Sequence, residues 1–263
     1  MPTLNSTSKA VLRVPWDNCA VLYVPSLREV AFRVSNRLSG GAALPRPRYI
    51  TAVAGTPDVE HFLQSGRDSL GAIHEMLARQ EVDPLAVGDV LDFGCGSGRI
   101  LRHWPRSDRI RLTGTDYNPS LIAWCRRNYR SARFTMNGLD GRLPLADSSF
   151  DLAYAWSVFT HLSEDLGDNW IRELHRVLRP GGWLFVTMHG EFYASWMSSS
   201  ELQAFHAGEV VVHRGGASGT NICAVFHGPA AVQRKFGDRF ELVDHTPGGR
   251  RLREQDCYLL KKR

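Results

Sequence analysis

The chain has 263 residues, of which 43% are apolar and 22% charged, and a formal net charge of +5. That length and balance belong to a soluble globular protein with a sizeable core, one domain with elaborations. Only four of the 32 basic residues are lysines (Lys9, Lys235, Lys261, Lys262). No dense basic run would track a nucleic-acid backbone, so the arginine excess reads as compositional bias.

Five scattered cysteines (Cys19, Cys95, Cys125, Cys223, Cys257) without C-x-x-C spacing argue against a disulfide framework or a structural zinc, and for a reducing cytoplasm. No histidine–carboxylate spacing suggests a metal. No apolar run approaches the ~20 residues of a membrane span, and the polar start shows no secretion signal.

In chain order, the first 18 or so residues are polar and read as loose. Residues 26–38 have helical spacing, with Leu27, Val30, Ala31, Val34 and Leu38 on one face, stopped by Gly40-Gly41. Pro45-Arg46-Pro47 reads as a linker. Residues 1–55 are therefore taken as an N-terminal extension and 56–263 as the main domain. Thr56-Pro57-Asp58 predicts a helix start, with a hydroxyl cap and proline at the first helical position. Phe62, Leu63, Leu70, Ile73 and Leu77 mark its buried side, and Gly66-Arg67 interrupts it.

The most informative stretch is Asp89-Val90-Leu91-Asp92-Phe93-Gly94-Cys95-Gly96-Ser97-Gly98-Arg99-Ile100-Leu101. An apolar run ends in an acid, three glycines alternate, and apolar residues follow at helical spacing. The pattern predicts a buried parallel strand, a tight turn where a ligand approaches bare backbone, and then a helix. A dinucleotide fingerprint wants Gly or Ala where Arg99 stands, and a pyrophosphate would be repelled by Asp92. An amine-bearing, cationic ligand suits that acid better, which favours S-adenosylmethionine over NAD.

Val90-Leu91-Asp92-Phe93-Gly94-Cys95-Gly96-Ser97-Gly98 closely resembles motif I of the class I S-adenosylmethionine-dependent methyltransferases, of the bacterial small-molecule type. The resemblance covers about residues 59–188 well and the final strands loosely. It implies a Rossmann-like α/β fold, a seven-stranded doubly wound sheet, with S-adenosylmethionine held by Asp92, Phe93, Gly94, Cys95, Gly96 and Gly98. In such enzymes N-terminal extensions often cover the active site; plain packing against the outside is the alternative. The segment before motif I often reaches over the cofactor, so Arg67 is either a bidentate clamp for the methionyl carboxylate or a surface arginine.

Arg111-Leu112-Thr113-Gly114-Thr115-Asp116 reads as the second strand, with an acid about 20 residues past the glycines where a ribose diol is held. Asp116 and the adjacent Tyr117 resemble the family's ribose-side residues. Asn118-Pro119 follows the second strand, not the fourth, and lacks the rest of an amino-group methyltransferase signature. Arg133-Phe134-Thr135-Met136 predicts the third strand; by resemblance Asn137, Gly138 and Leu139 lie against the adenine. The fourth strand runs from Phe150 into a loop where, by resemblance, the backbone near Ala155 and Trp156 would take the cofactor's ammonium. A helix containing Trp170 then stops at Leu178-Arg179-Pro180-Gly181-Gly182, typical of the family, and strand five spans 183–188.

Past His189 the chain departs from a minimal domain. Ser198-Ser199-Ser200-Glu201 caps a short helix, and 209–213 and 221–226 read as two strands around a glycine-rich loop. This insertion, 192–226, is expected to be a lid or wall over the acceptor site, or else a homodimer element. A helix at 229–236 and a hairpin of strands 240–245 and 256–261 close the chain.

Removing a proton from an oxygen or nitrogen acceptor suits a histidine near a strand tip, which makes His161 and His189 the candidate bases. His213 and His227 flank the insertion and read equally well as surface residues. Phe159, Phe192, Tyr193 and Trp196, with Trp156, are candidates for an apolar substrate pocket, or ordinary core. The expected activity is methylation of a small molecule in natural product biosynthesis, with oxygen favoured over nitrogen or carbon. The alternatives are an RNA or protein methyltransferase, or a non-methylating partner protein that binds the same cofactor. Neither an RNA-binding module nor a basic-aromatic stripe is visible.

Overall fold

The computed structural model describes residues 43–249 and 254–263, together with Leu27, Val30, Ala31, Arg33 and Val34. Those five are helical and leave Leu27, Val30 and Val34 exposed. The rest of the helix expected over 26–38 lies outside the described residues.

Seven strands form the central sheet: β1 (Gly88–Phe93), β2 (Ile110–Asp116), β3 (Ala132–Met136), β4 (Phe150–Ala155), β5 (Leu178–Met188), β8 (Phe240–Thr246) and β9 (Asp256–Lys262). An insertion after β5 carries β6 (Val210–His213) and β7 (Ala224–His227). The sheet order is β3-β2-β1-β4-β5-β9-β8. Strands β1 to β5 are parallel, while β9 runs antiparallel to both neighbours. Strand order reverses between β1 and β4, so the carboxyl ends of these two strands flank the crevice where doubly wound sheets take ligands.

The helices are α1 (Pro47–Ala54), α2 (Val59–Ala78), α3 (Pro119–Asn128), α4 (Glu164–Val177), α5 (Ser199–His206) and α6 (Pro229–Phe236). Alternation along the strands divides the core between the two faces of the sheet. On one face Val90, Leu112 and Tyr154 pack with Ile73 and Met76 of α2 and Ile122 and Cys125 of α3. On the other, Leu91, Ala153 and Leu184 pack with Trp170 and Leu174 of α4 and Phe236 of α6. Each such aliphatic side chain contributes about 1.5–3 kcal/mol when fully buried. The insertion has its own small core of Tyr193, Phe205, Val211, Ala224 and Phe226.

Several local expectations are corrected. The glycine turn leads not into a full helix but into a single 3₁₀ turn, Leu101–His103. Pro105 forces Trp104 into extended backbone (ψ 135°), and with Gly98 at φ 75° too few residues remain for an α-helix. Helix α2 runs unbroken through Gly66-Arg67. A Cβ on Gly66 would lie 2.2 Å from the Arg99 carbonyl oxygen, so this glycine serves a close helix-to-turn approach, not a break. The cap of α2 is Asp58, whose carboxylate accepts the Glu60 and His61 N–H groups; Thr56 instead accepts the N–H of Asp58. The expected linker opens α1, with Pro47 in its first turn, and Ile50 buries against Val59 and Phe62 of α2. Helix α4 begins at Glu164, well before Trp170, with two acids complementing the positive end of its dipole. The capping box at Ser198 and Glu201 forms as expected.

Candidate active site

The carboxyl ends of β1, β2 and β4 wall a cavity of about 160 Å³. Asp92, Phe93, Gly94, Cys95 and Gly96 line it from the first turn. The N–H groups of Gly94 and Cys95 both reach back to the Thr115 carbonyl at 2.9 Å, which folds the turn over the neighbouring strand. Gly96 (φ 54°) sits so close to α1 that a Cβ would meet Val53 at 2.6 Å. Gly98 is not on the cavity wall. It packs beneath the turn, where a Cβ would strike the Tyr129 ring at 2.6 Å.

Asp116 ends β2 and is buried. One oxygen accepts the Gly96 N–H and the other the Asn118 N–H, each at 2.8 Å. Burial pushes this carboxyl up, and the N–H groups of Asn118, Gly96 and Tyr117 hold it down. Each oxygen keeps a second lone pair, the arrangement a pair of vicinal hydroxyls requires. Asn118 also caps α3 by accepting from Ser120 and Leu121, with Pro119 at the first position. On the next strand tip Asn137, Gly138 and Leu139 reach the cavity. Asn137 Oδ1 is a buried acceptor with no hydrogen-bond partner among the described residues, suited to an amino-group donor. The Trp170 indole N–H donates to the Leu139 carbonyl at 3.0 Å and fixes this loop.

The floor holds a buried acid, Asp92, and a half-buried cation, Arg99. Burial pushes the Asp92 carboxyl up to about 7, against a hydrogen bond from Tyr154 and the Arg99 charge. Burial likewise lowers Arg99 to about 10, with Asp92 opposing. Arg99 Nη1 donates to Ser69 Oγ at 3.3 Å, which tethers the floor to α2. Arg99 was visible in the sequence only as the residue out of place in a dinucleotide fingerprint; the structure makes it part of the site. Arg67 is exposed, donates to Gln64 Oε1 at 2.9 Å, and lies off the cavity wall.

After β4, Trp156, Ser157 and Val158 line the cavity, whereas Ala155 is fully buried behind it. Trp156 stacks on Phe185, ring centroids 5.7 Å apart. Ser157 has a positive φ of 58° and is held by polar bonds. Its N–H donates to Thr187 Oγ1 at 2.7 Å, and its hydroxyl accepts from Gln255 Nε2 at 2.8 Å. His161 is on the wall; His189 is not, being buried behind it with ring centroids 6.0 Å apart.

The candidate aromatic residues other than Trp156 do not reach this cavity. Phe159 is buried edge-on to Phe236. Tyr193 and Trp196, three apart in a 3₁₀ turn and hence on one face, both contact Phe226 in the insertion. Phe192 is half-exposed beside Gly249. An inserted sheet needs a core of its own, and Tyr193 serves it, whereas Phe159 belongs to the core of the central sheet. The insertion instead reaches the cavity through Gly219 and Asn221, and α1 does so through Ala52 and Val53. Among the described residues no group of histidine, cysteine or carboxylate side chains could hold a metal, and no helix is long and apolar enough to cross a membrane.

Residues 91–186 match the family model of a methyltransferase domain. A malonyl-[acyl-carrier protein] O-methyltransferase from Enterobacter lignolyticus is 33% identical over 121 residues, 43% of this chain and 47% of that protein. A demethylmenaquinone methyltransferase from Chlorobaculum parvum is 30% identical over 136 residues, 51% of this chain and 55% of that protein. The chain thus spans about half the length of these curated relatives. A solved 1,6-didemethyltoxoflavin-N1-methyltransferase from Burkholderia thailandensis, with S-adenosylhomocysteine bound, shares the fold. Its TM-score is 0.54 at 16% identity, over 91% of this chain and 92% of that one.

Proposed function

We propose that this chain, whose core is a class I S-adenosylmethionine-dependent methyltransferase domain, methylates a hydroxyl group of a small molecule. The observation that carries this reading is the position of His161 on the cavity wall beside Trp156, Ser157 and Val158. S-adenosylmethionine is the family's methyl donor, and the residues present suit it. Asp116 would take the ribose hydroxyls, Asn137 Oδ1 the adenine amino group, Asp92 the ammonium and Arg99 the carboxylate.

Bound there, the cofactor supplies a sulfonium methyl: the acceptor oxygen's electron pair forms the new C–O bond as the C–S pair returns to sulfur, releasing S-adenosylhomocysteine. His161 would take the hydroxyl proton on Nε2 and pass it to solvent. The enclosing segments, α1 and residues 218–221, would exclude water and select the acceptor, which favours a small molecule over RNA or protein. The cavity is smaller than the ~300–1,000 Å³ of ordinary ligand sites, so the 192–226 insertion is read as a lid that withdraws to admit ligands. A second reading, a malonyl thioester acceptor, is favoured by the 33% match; such a carboxylate is already a nucleophile and needs no base.

Calorimetry with S-adenosylmethionine and with NAD tests the cofactor, and micromolar NAD binding with no response to the former would overturn the reading. Release of S-adenosylhomocysteine is then followed with phenols, polyols, malonyl thioesters and total RNA. Turnover with hydroxyl acceptors is the expected outcome. Label appearing in RNA alone would make this an RNA methyltransferase, and binding without turnover on any acceptor would make it a partner protein.

A further inference from the structure

Resting on the methyltransferase reading, we infer that the 218–223 segment of the insertion is a positioning element for His161, fixing its tautomer and orientation. Two bonds hold the main chain: the Gly219 N–H donates to the His161 carbonyl at 2.7 Å, and the Ser218 hydroxyl donates to the same oxygen at 3.4 Å. A third bond holds the ring. His161 Nδ1 lies 2.7 Å from the Cys223 carbonyl, and a carbonyl only accepts. The proton therefore sits on Nδ1, and the neutral ring presents Nε2 as its acceptor nitrogen. One residue beyond Leu162, the Ser163 N–H donates to Ser218 Oγ at 2.7 Å, so the start of α4 is tied to the same segment.

The segment is built to keep that geometry. Its own turns close through Ser218 N–H to the Gly215 carbonyl at 3.1 Å and Cys223 N–H to the Thr220 carbonyl at 3.1 Å. The Thr220 hydroxyl adds a bond to the Ala217 carbonyl at 2.7 Å. Gly219, at φ 82°, stands where a Cβ would meet the Leu139 side chain, which leaves no room for a larger residue at this turn. An imidazole in water samples both tautomers, and only one leaves Nε2 as the basic nitrogen. Closing the segment over the site and readying His161 are consequently one event, and the insertion contributes to the chemistry through backbone groups no motif records.

Long-range proton–nitrogen NMR of ¹⁵N-histidine-labelled protein reads the tautomer directly, with S-adenosylhomocysteine calorimetry alongside. In the wild type, His161 should be a single Nδ1–H tautomer with or without S-adenosylhomocysteine. Ser218→Ala, off the cavity wall, should shift His161 toward mixed tautomers while changing the S-adenosylhomocysteine Kd by no more than about threefold. Gly219→Ala should shift the tautomer more completely, but its Cβ falls on the cavity wall, so only its tautomer is read; if it does not fold, judged by circular dichroism, Ser218→Ala decides alone. His161→Asn, which keeps a donor near the Nδ1 position, should preserve fold and S-adenosylhomocysteine affinity better than His161→Gln. An Nε2–H tautomer in the wild type, or an unchanged tautomer in a folded Ser218→Ala, would overturn the positioning role and leave the methyltransferase reading standing. Failure to bind S-adenosylhomocysteine at all would sink that reading instead.

Discussion

The Tyr117 hydroxyl donates to the Gly219 carbonyl at 2.6 Å, joining the residue after the buried Asp116 to a turn 102 positions later. Across the same opening Asn221 Nδ2 reaches the Ala52 carbonyl of α1 at 3.5 Å. All four residues line the cavity, and we expect a ligand the size of S-adenosylmethionine to enter when these contacts part. Tyr117→Phe removes one neutral hydrogen bond, worth about 0.5–1.5 kcal/mol. Stopped-flow binding should show S-adenosylhomocysteine leaving roughly 2- to 10-fold faster, with little change in fold stability. An unchanged dissociation rate would mean that the mouth opens elsewhere.

Gly66→Ala separates intrinsic propensity from packing. Mid-helix, alanine should stabilise by about 1 kcal/mol on propensity alone. The Arg99 carbonyl, 2.2 Å from where the alanine Cβ would stand, demands the opposite sign. Helix α2 must shift away from the turn carrying Arg99, and overpacking of this kind costs about 1–3 kcal/mol. Urea denaturation should show the variant less stable and calorimetry should show weaker S-adenosylhomocysteine binding. A variant more stable than the parent would mean that α2 yields freely.

Elements whose cause is local were legible. The buried run of β1, the Ser198 and Glu201 box and the Pro229 helix start all follow from neighbouring residues, and most strands fall where apolar runs place them, although β5 already begins at Leu178, inside the expected helix stop, and β7 only at Ala224. What stayed hidden depends on contacts far apart in the chain. Gly66 looks like a helix break until Arg99 arrives against it, and Pro47 looks like a linker until Ile50 finds Val59 and Phe62. The residues lining the cavity at the ends of β1 and β2 were readable because a strand, a turn and a terminal acid carry them. The substrate-side aromatics were not, because loop position says nothing of which way Tyr193 and Trp196 face; Phe226, the residue they turn to, lies some thirty positions on.

Asp92 makes cofactor affinity and apo stability respond oppositely to pH. Burial raises its folded value to about 7 from the ordinary 3.8. The folded state therefore binds this proton more tightly than the unfolded one. That stabilising preference is full below about pH 4 and is lost as pH rises through 7, a loss on the order of 2–4 kcal/mol. A cationic ligand prefers the ionised form, so S-adenosylmethionine affinity should rise about tenfold between pH 6 and 8. Asp92→Asn should melt several degrees above the wild type at pH 8 without ligand, with the gap closing by pH 5. The same variant should bind S-adenosylmethionine weakly at every pH. Parallel melting curves for the two proteins across that range would show that Asp92 is already ionised when buried.

Replacing residues 192–221 with a short glycine-serine linker distinguishes a lid from an interface. Most of this stretch packs on its own core of Tyr193, Phe205, Val211, Ala224 and Phe226, outside the two faces of the central sheet. Its removal leaves β5 and α6 to be joined through the remaining 222–228. The cavity wall keeps Asp92, Gly94, Gly96, Asp116 and Asn137, so S-adenosylhomocysteine should still bind within about tenfold of the parent. Methyl transfer should be lost, because the cover given by Gly219 and Asn221 goes and the bonds from Ser218 and Gly219 to His161 go with it. The competing account is that the paired strands β6 and β7 offer an edge to a second copy of the chain. A shortened protein that still methylates its acceptor but moves from dimer to monomer on a sizing column would establish that account and end the lid.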